Sequence, residues 1–218
     1  MDHKITAISQ QKKNRQRVNI YLDGEFAFGL ERIVAAWLQV GQEISDEKIA
    51  QLQLEESRET AYQRALKFIS YRPRSQSEVR QKLQDLNITQ ENIDYVLSRL
   101  IESGILNDES FAQLWVENRS AMRPRGRRAL VYELRQRGLD QKVIEQAVSE
   151  INEEELAYQA ARRRARKLQG QEWNDFRQKM FRFLAQRGFT YELCAHIVPR
   201  VWSELHDNDN SSDEEVYL

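Results

Sequence analysis

Cysteine is almost absent from this chain: Cys194 stands alone, which excludes an internal disulfide and any cysteine-rich zinc site. His3, His196 and His206 are too scattered along the sequence to suggest a metal cluster. Only 3 prolines and 8 glycines punctuate 218 residues, too little turn chemistry for a protein built mainly of sheets. No run approaches the roughly 18 apolar residues of a membrane span, and the N-terminus lacks the apolar core of a signal peptide. A soluble, cytoplasmic chain with no membrane partner is expected. Also missing are a glycine-rich phosphate loop, a nucleophile with a histidine beside it, and any carboxylate pair whose context marks it as acid and base. The expectation is therefore a protein that binds rather than catalyses, with no catalytic residues, no metal and no cofactor.

What is present is charge, 31% of the residues, on a background of good helix formers, and a repeat. Shifted by 51 positions, Arg72-Pro73-Arg74-Ser75 falls on Arg123-Pro124-Arg125-Gly126, and Val79, Leu83 and Ile88 fall on Leu130, Leu134 and Leu139. Ile93, Val96, Leu97 and Leu100 fall on Ile144, Ala147, Val148 and Ile151. A further shift of 50 reaches Met180, Leu184, Gly188, Phe189, Cys194, Ile197, Val198 and Val201. A fixed period of this length marks an array of supersecondary units.

Each copy reads as three helices. Ser75 with Glu78 three residues on forms a capping box ahead of Val79, Leu83 and Leu86. Thr89 can cap the next helix, whose apolar stripe ends at Gly104, and Tyr62, Ala65, Leu66 and Ile69 mark the first. In the second copy Asp108 and Asp140 are candidate caps and Gly138 a helix end; the third uses Gly188 and Thr190. Pro199 falls inside the last helix and is expected to kink it near Ala195 or end it early.

Ahead of the array, Val18 to Leu22 and Glu25 to Gly29 alternate about Asp23-Gly24, a strong hairpin signal, with Ile5 to Ile8 as a further strand. Leu30 to Leu38 reads as a helix, and a second helical stretch starts at Ser45. The fold class predicted is mainly α: three tandem three-helix repeats forming an elongated curved rod, preceded by a small N-terminal β-hairpin and helix element. The segments are a leader over 1–60, repeats over 61–107, 108–152 and 153–205, and over 206–218 an acidic tail too poor in apolar residues to order itself.

The net charge of −1 conceals segregation. Arg119 to Arg137 holds seven arginines against one acid, whereas Asp207 to Glu215 holds five acids and no base. On a helical wheel Ala157, Tyr158, Ala161, Ala165 and Leu168 share one face, leaving Arg162, Arg163, Arg164, Arg166 and Lys167 on the other. Charge runs are commonly just solvated surface. Here no acids are interleaved to make i,i+4 pairs, so the like charges favour an anionic partner. The stripe is mostly alanine, without the large anchors that membrane insertion needs. Arg72 and Arg74, then Arg123, Arg125, Arg127 and Arg128, recur at helix starts where proline holds the chain extended and the guanidiniums are expected to stay exposed. Such a periodic cationic edge suits a nucleic-acid backbone or a protein filament wound on one. Trp115, Trp173, Tyr132 and Phe176 could stack on bases, though core packing is the simpler reading.

Asp23-Gly24-Glu25-Phe26 after a strand, Arg-Pro-Arg-Ser followed by Glu78 and Leu83, Phe111 with Trp115, Arg-Pro-Arg-Gly, and Leu-Arg-Gln-Arg-Gly-Leu at 134–139 together resemble the bacterial RecX family over nearly the whole chain. The resemblance implies a monomeric regulator of the RecA recombinase that lies along the groove of the RecA–DNA filament and restrains ATP hydrolysis and strand exchange. By position, the eleven basic residues at 72, 74, 123, 125, 127, 128, 162–164, 166 and 167 would face that partner. The third repeat departs from the pattern, with Trp173-Asn174 in place of Arg-Pro-Arg. Two readings compete. One is direct binding of single- or double-stranded DNA by helix-turn-helix-like units. The other is an adaptor whose acidic tail mimics DNA or covers the basic edge.

Overall fold

The computed structural model describes residues 2–213, with side chains through His206. It divides into two compact units, Met1–Leu106 and Asn107–Leu218.

In the first unit, β1 (Asp2–Gln10), β2 (Arg17–Leu22), β3 (Glu25–Glu31) and β4 (Glu43–Ser45) form one antiparallel sheet in the order β3-β2-β1-β4. Asp23 and Gly24 both adopt positive φ, 52° and 94°, and Leu22 pairs with Glu25 across them. This is the two-residue turn whose twist matches that of the strands it joins. Ile5, Val18, Ile20, Leu30 and Ile44 bury one face of the sheet with Leu52 from α1.

Leu30 to Leu38 is not the helix that its composition suggests. Leu30 and Glu31 continue β3, pairing with Val18 and Arg17, and residues 32–37 form turns. The sheet pairing wins because it satisfies the backbone of both strands while burying Leu30 completely. Trp37 is left 88% exposed.

Helix α1 (Asp46–Ser70), capped by Ser45, crosses position 60 without a break, so the leader and the first repeat share one helix. Arg17 ties the sheet to it, 3.1 Å from Glu31 and 2.6 Å from Glu56. With α2 (Gln76–Asp85) and α3 (Gln90–Glu102), α1 encloses Ala61, Tyr62, Ala65, Val79, Leu83, Ile93, Val96 and Leu100. Both halves of the Ser75–Glu78 capping box are present. Thr89 occupies the cap of α3 without a side-chain hydrogen bond, and Gly104 follows the α3 cap at φ 70°.

The second unit holds two more three-helix repeats. The first is α4 (Asp108–Met122), α5 (Arg127–Gln136) and α6 (Gln141–Ser149), and the second is α7 (Glu153–Ala165), α8 (Trp173–Gln186) and α9 (Tyr191–Asp213). Their cores repeat that of the first unit. Val79, Leu130 and Met180 are each fully buried, as are Leu83, Leu134 and Leu184. Asp140 caps α6 as expected, but α4 is capped by Asn107, whose side chain accepts from the Ser110 amide at 2.8 Å, and not by Asp108.

Pro199 does not end α9, which runs to Asp213. Residues 206–213 therefore extend a helix where an unstructured tail was expected, since adding residues to an existing helix costs far less than starting one. The rest of the expected tail, 214–218, lies outside the described residues. No described helix is long and apolar enough to cross a membrane.

Candidate binding surface of the arginine-rich repeats

In the first unit the Arg-Pro-Arg segment is neutralised from within. The Arg72 guanidinium forks onto Glu78, donating to Oε1 at 2.8 Å and Oε2 at 3.4 Å. Arg74 is not the exposed cation expected: its side chain is only 14% accessible. It lies 3.8 Å over the Phe68 ring and has Glu78 within ion-pair range at 3.9 Å. Glu78 meanwhile accepts from the Ser75 amide as part of the capping box. One carboxylate thus caps a helix and offsets two arginines.

The second repeat has the same segment without that acid, because the position matching Glu78 is Ala129. Arg125 turns instead to Glu133 at 3.4 Å, a carboxylate it shares with Arg119 at 2.7 Å and the Trp115 indole N–H at 2.9 Å. The guanidiniums of Arg119 and Arg137 lie 4.6 and 4.7 Å from the centre of the Trp115 ring. Arg123 and Arg128 are exposed and hold no side-chain hydrogen bond or ion pair among the described residues. Arg127 is half-buried and reaches the Ser149 carbonyl at 3.5 Å, while its amide donates to Glu153.

The third repeat adds to this cluster. Arg163 donates to the carbonyls of Ala121 and Met122 at 3.2 and 3.3 Å, capping the C-terminal end of α4, where a cation is favoured. Arg164 lies 5.5 Å from the Phe183 ring, and its buried Nε has no hydrogen-bond partner. Arg187, not anticipated from the sequence, donates to the Pro124 carbonyl at 3.1 Å and sits 4.4 Å over the same Phe183 ring. Burial, then the positive charges of Arg125, Arg123, Arg163 and Arg164, push the Arg187 guanidinium below its ordinary pKa. Five arginines from two repeats therefore share one neighbourhood, and three of them, Arg125, Arg163 and Arg187, reach carbonyl oxygens, which align a guanidinium without cancelling its charge.

The remaining predicted residues stand apart from that cluster. Arg162, Arg166 and Lys167 are exposed, and Arg162 bears instead on Glu204 and Tyr158. Of the aromatic candidates, Trp173 and Phe176 pack with Trp202 in the third repeat's core at 5.3 and 4.8 Å, and Trp115 is half-buried. Tyr132 is 64% exposed, so core packing does not account for it. One sequence signal for Arg187 existed: it precedes Gly188-Phe189 as Arg137 precedes Gly138-Leu139.

Close approach of glycines sets this geometry. A Cβ on Gly126 would lie 2.5 Å from the Gly188 carbonyl oxygen, and one on Gly188 would lie 2.6 Å from the Ala129 Cβ. The Gly126 amide donates to the Arg187 carbonyl at 2.9 Å. The start of α5 and the α8–α9 turn are thereby locked together, with the arginines fanned around them.

A small antiparallel sheet followed by three tandem three-helix domains defines a narrow class of helical-repeat proteins, and comparison with known proteins places the chain within it. Models described as the N-terminal, first, second and third three-helix domains of regulatory protein RecX match residues 3–45, 61–100, 107–148 and 152–198. The regulatory protein RecX of Leuconostoc mesenteroides is 32% identical, over 94% of this chain and 78% of that one. That of Bacillus subtilis is 30% identical, over 97% and 81%. A crystal structure of regulatory protein RecX covers 89% of this chain and 98% of its own, with TM-score 0.72 and 28% identity. The chain belongs to the RecX family of regulatory proteins.

Proposed function

We propose that the chain regulates the RecA recombinase by binding along the groove of the RecA–DNA filament and restraining ATP hydrolysis and strand exchange. The observation that carries this reading is the arginine cluster of the second unit, where Arg123, Arg125, Arg163, Arg164 and Arg187 come together and, among the described residues, Arg125 alone of the five is ion-paired, to Glu133. Like charges held in this way favour an anionic partner, and a nucleoprotein filament presents negative charge periodically. Membership of a regulatory family supports action by binding.

The test is the DNA-dependent ATPase of RecA with and without the protein. A fall in hydrolysis and in strand exchange at stoichiometric amounts is expected. Unchanged rates overturn the proposal.

A further inference from the structure

One end of the N-terminal sheet carries a pattern that neither its core nor the arginine cluster accounts for. Residues 33–42, which lead from β3 to β4, are the longest stretch without a charged side chain in a chain that is 31% charged. Val34, Ala35 and Leu38 turn inward to the core of the sheet. Ile33, Trp37 and Val40 are left 64%, 88% and 62% exposed, a patch within one short segment and not isolated surface residues. The Val34 and Ala35 amides donate to the Glu31 carbonyl, and the Leu38 amide to that of Ala35. The chain is therefore coiled here, and Ile33 and Trp37, four residues apart, share its outer side.

Two further properties separate this patch from an ordinary loop. Its backbone is largely satisfied from within: the amides of Val34, Ala35, Leu38, Gly41 and Gln42 donate to carbonyls, and that of Gln39 to the Gln42 side chain. Such a segment leaves water at little cost, whereas a loop with open amides does not. Beside it stands a basic loop, because the Arg32 amide donates to the Gln16 carbonyl at 2.6 Å and so joins the segment to the β1–β2 connection. Lys12, Lys13, Arg15 and Arg32 are exposed and hold no ion pair among the described residues. Two carboxylates adjoin the patch. Glu31 is paired with Arg17 at 3.1 Å, and Glu55, in the groove beside Ile33, accepts from Gln51 at 2.9 Å.

Apolar anchors flanked by unpaired cations fit a surface that is anionic outside and apolar beneath, which describes an acidic phospholipid bilayer. Tryptophan in particular favours the headgroup boundary. A nucleic-acid backbone would engage the cations and leave the apolar residues in water. A second copy meeting the same patch would bring two basic loops together. A protein partner would need a concave pocket for a ring that stands clear of its surroundings.

We propose that this end of the N-terminal sheet binds acidic lipid headgroups, with Trp37 and Ile33 entering the bilayer boundary and Lys12, Lys13, Arg15 and Arg32 on the headgroup phosphates. No membrane partner was expected from the sequence, because the basic loop and Trp37 are brought together only by the fold. The large anchors that the arginine-rich α7 lacks are present here. None of these residues belongs to the arginine cluster, so the proposal is independent of the filament reading.

The experiment is sedimentation of the full chain with vesicles of phosphatidylglycerol and phosphatidylcholine in equal parts, against phosphatidylcholine alone, with and without brominated acyl chains that quench tryptophan. Wild type sediments with the acidic vesicles, is released by high salt, and loses tryptophan emission to the brominated lipid. Lys12→Gln with Lys13→Gln and Arg15→Gln lowers partitioning on the order of 100-fold, about 5-fold for each cation removed. Trp37→Ala lowers it about 10-fold and removes the quenching, since Trp115, Trp173 and Trp202 are partly buried. Arg123→Gln with Arg128→Gln keeps the quenching, which separates insertion at this patch from adsorption through the arginine cluster. Every substituted side chain is exposed, so each variant should melt as wild type does. No binding to the acidic vesicles, equal partitioning of Trp37→Ala, or sedimentation without quenching overturns the proposal. Loss of ATPase inhibition in Trp37→Ala, with no vesicle binding by wild type, also overturns it and makes the patch a protein contact.

Discussion

Glu78 shows how much one side chain can decide. Its carboxylate completes the capping box with Ser75 and forks with Arg72, whereas alanine stands at the matching position in the next repeat. Glu78→Ala is expected to cost about 1–2 kcal/mol, in the range of a lost helix cap. The urea midpoint should fall while the slope of the transition is unchanged, and a midpoint equal to wild type would show that the capping box is dispensable. At the sheet, His3 Nδ1 lies 2.8 Å from Asp23 Oδ2. Hydrogen bonding to that carboxylate raises the His3 pKa, while the Lys4 amide and then His3 lower that of Asp23. The raised histidine stabilises the folded state below the unfolded imidazole value of about 6.5 and loses that contribution as pH rises through the folded value. The lowered aspartate contributes above its unfolded value of about 3.9 and fades as pH falls. The pair should therefore stabilise the sheet most between those two values. An NMR titration of His3 should shift down in Asp23→Asn, and no shift would show the pair to be uncoupled.

At the scale of elements, local signals were the legible ones. The capping box at Ser75, the positive-φ glycines at 104 and 138, and the Asp23-Gly24 turn each depend on a few neighbouring residues, so the sequence announces them. Leu30 to Leu38 misled because its helical composition is local, while the strand pairing that claims Leu30 and Glu31 comes from residues 17 and 18. Helix α9 carries its own test. Pro199 is exposed within the helix and leaves the Ala195 carbonyl without its usual intrahelical donor. Pro199→Ala should raise stability, by up to about 3 kcal/mol if the helix relaxes fully. Lower stability in that variant would mean that the proline is required for packing. Gly126 is the converse case: alanine there meets the Gly188 backbone at 2.5 Å and should cost about 1–3 kcal/mol by overpacking. Faster hydrogen exchange at the Gly126 amide, which donates to Arg187, should accompany the loss. Unchanged exchange would separate the two glycines energetically.

For the molecule as a whole, the repeat is uniform in its core and unequal in its charge. Buried positions recur in all three copies because each copy must enclose the same small interior. The surface is free of that constraint, which is why the arginine pattern predicted partners only coarsely. The sequence placed Arg72 and Arg74 on equal terms with Arg123 and Arg125. It could not show that Glu78 offsets the first pair, or that Arg187 joins the second from 62 residues beyond Arg125. That inequality makes a prediction about any anionic partner, the recombinase filament included. Arg72→Gln removes a charge already offset within the fold, so it should leave the salt dependence of binding as in wild type. Arg123→Gln with Arg128→Gln removes charges with no internal counterion, so it should lower affinity at low salt and flatten the salt dependence. The comparison is read from affinities at several salt concentrations for both variants and wild type. Equal flattening by Arg72→Gln would mean that Glu78 releases its arginine on binding and that the first repeat meets the partner as the second does.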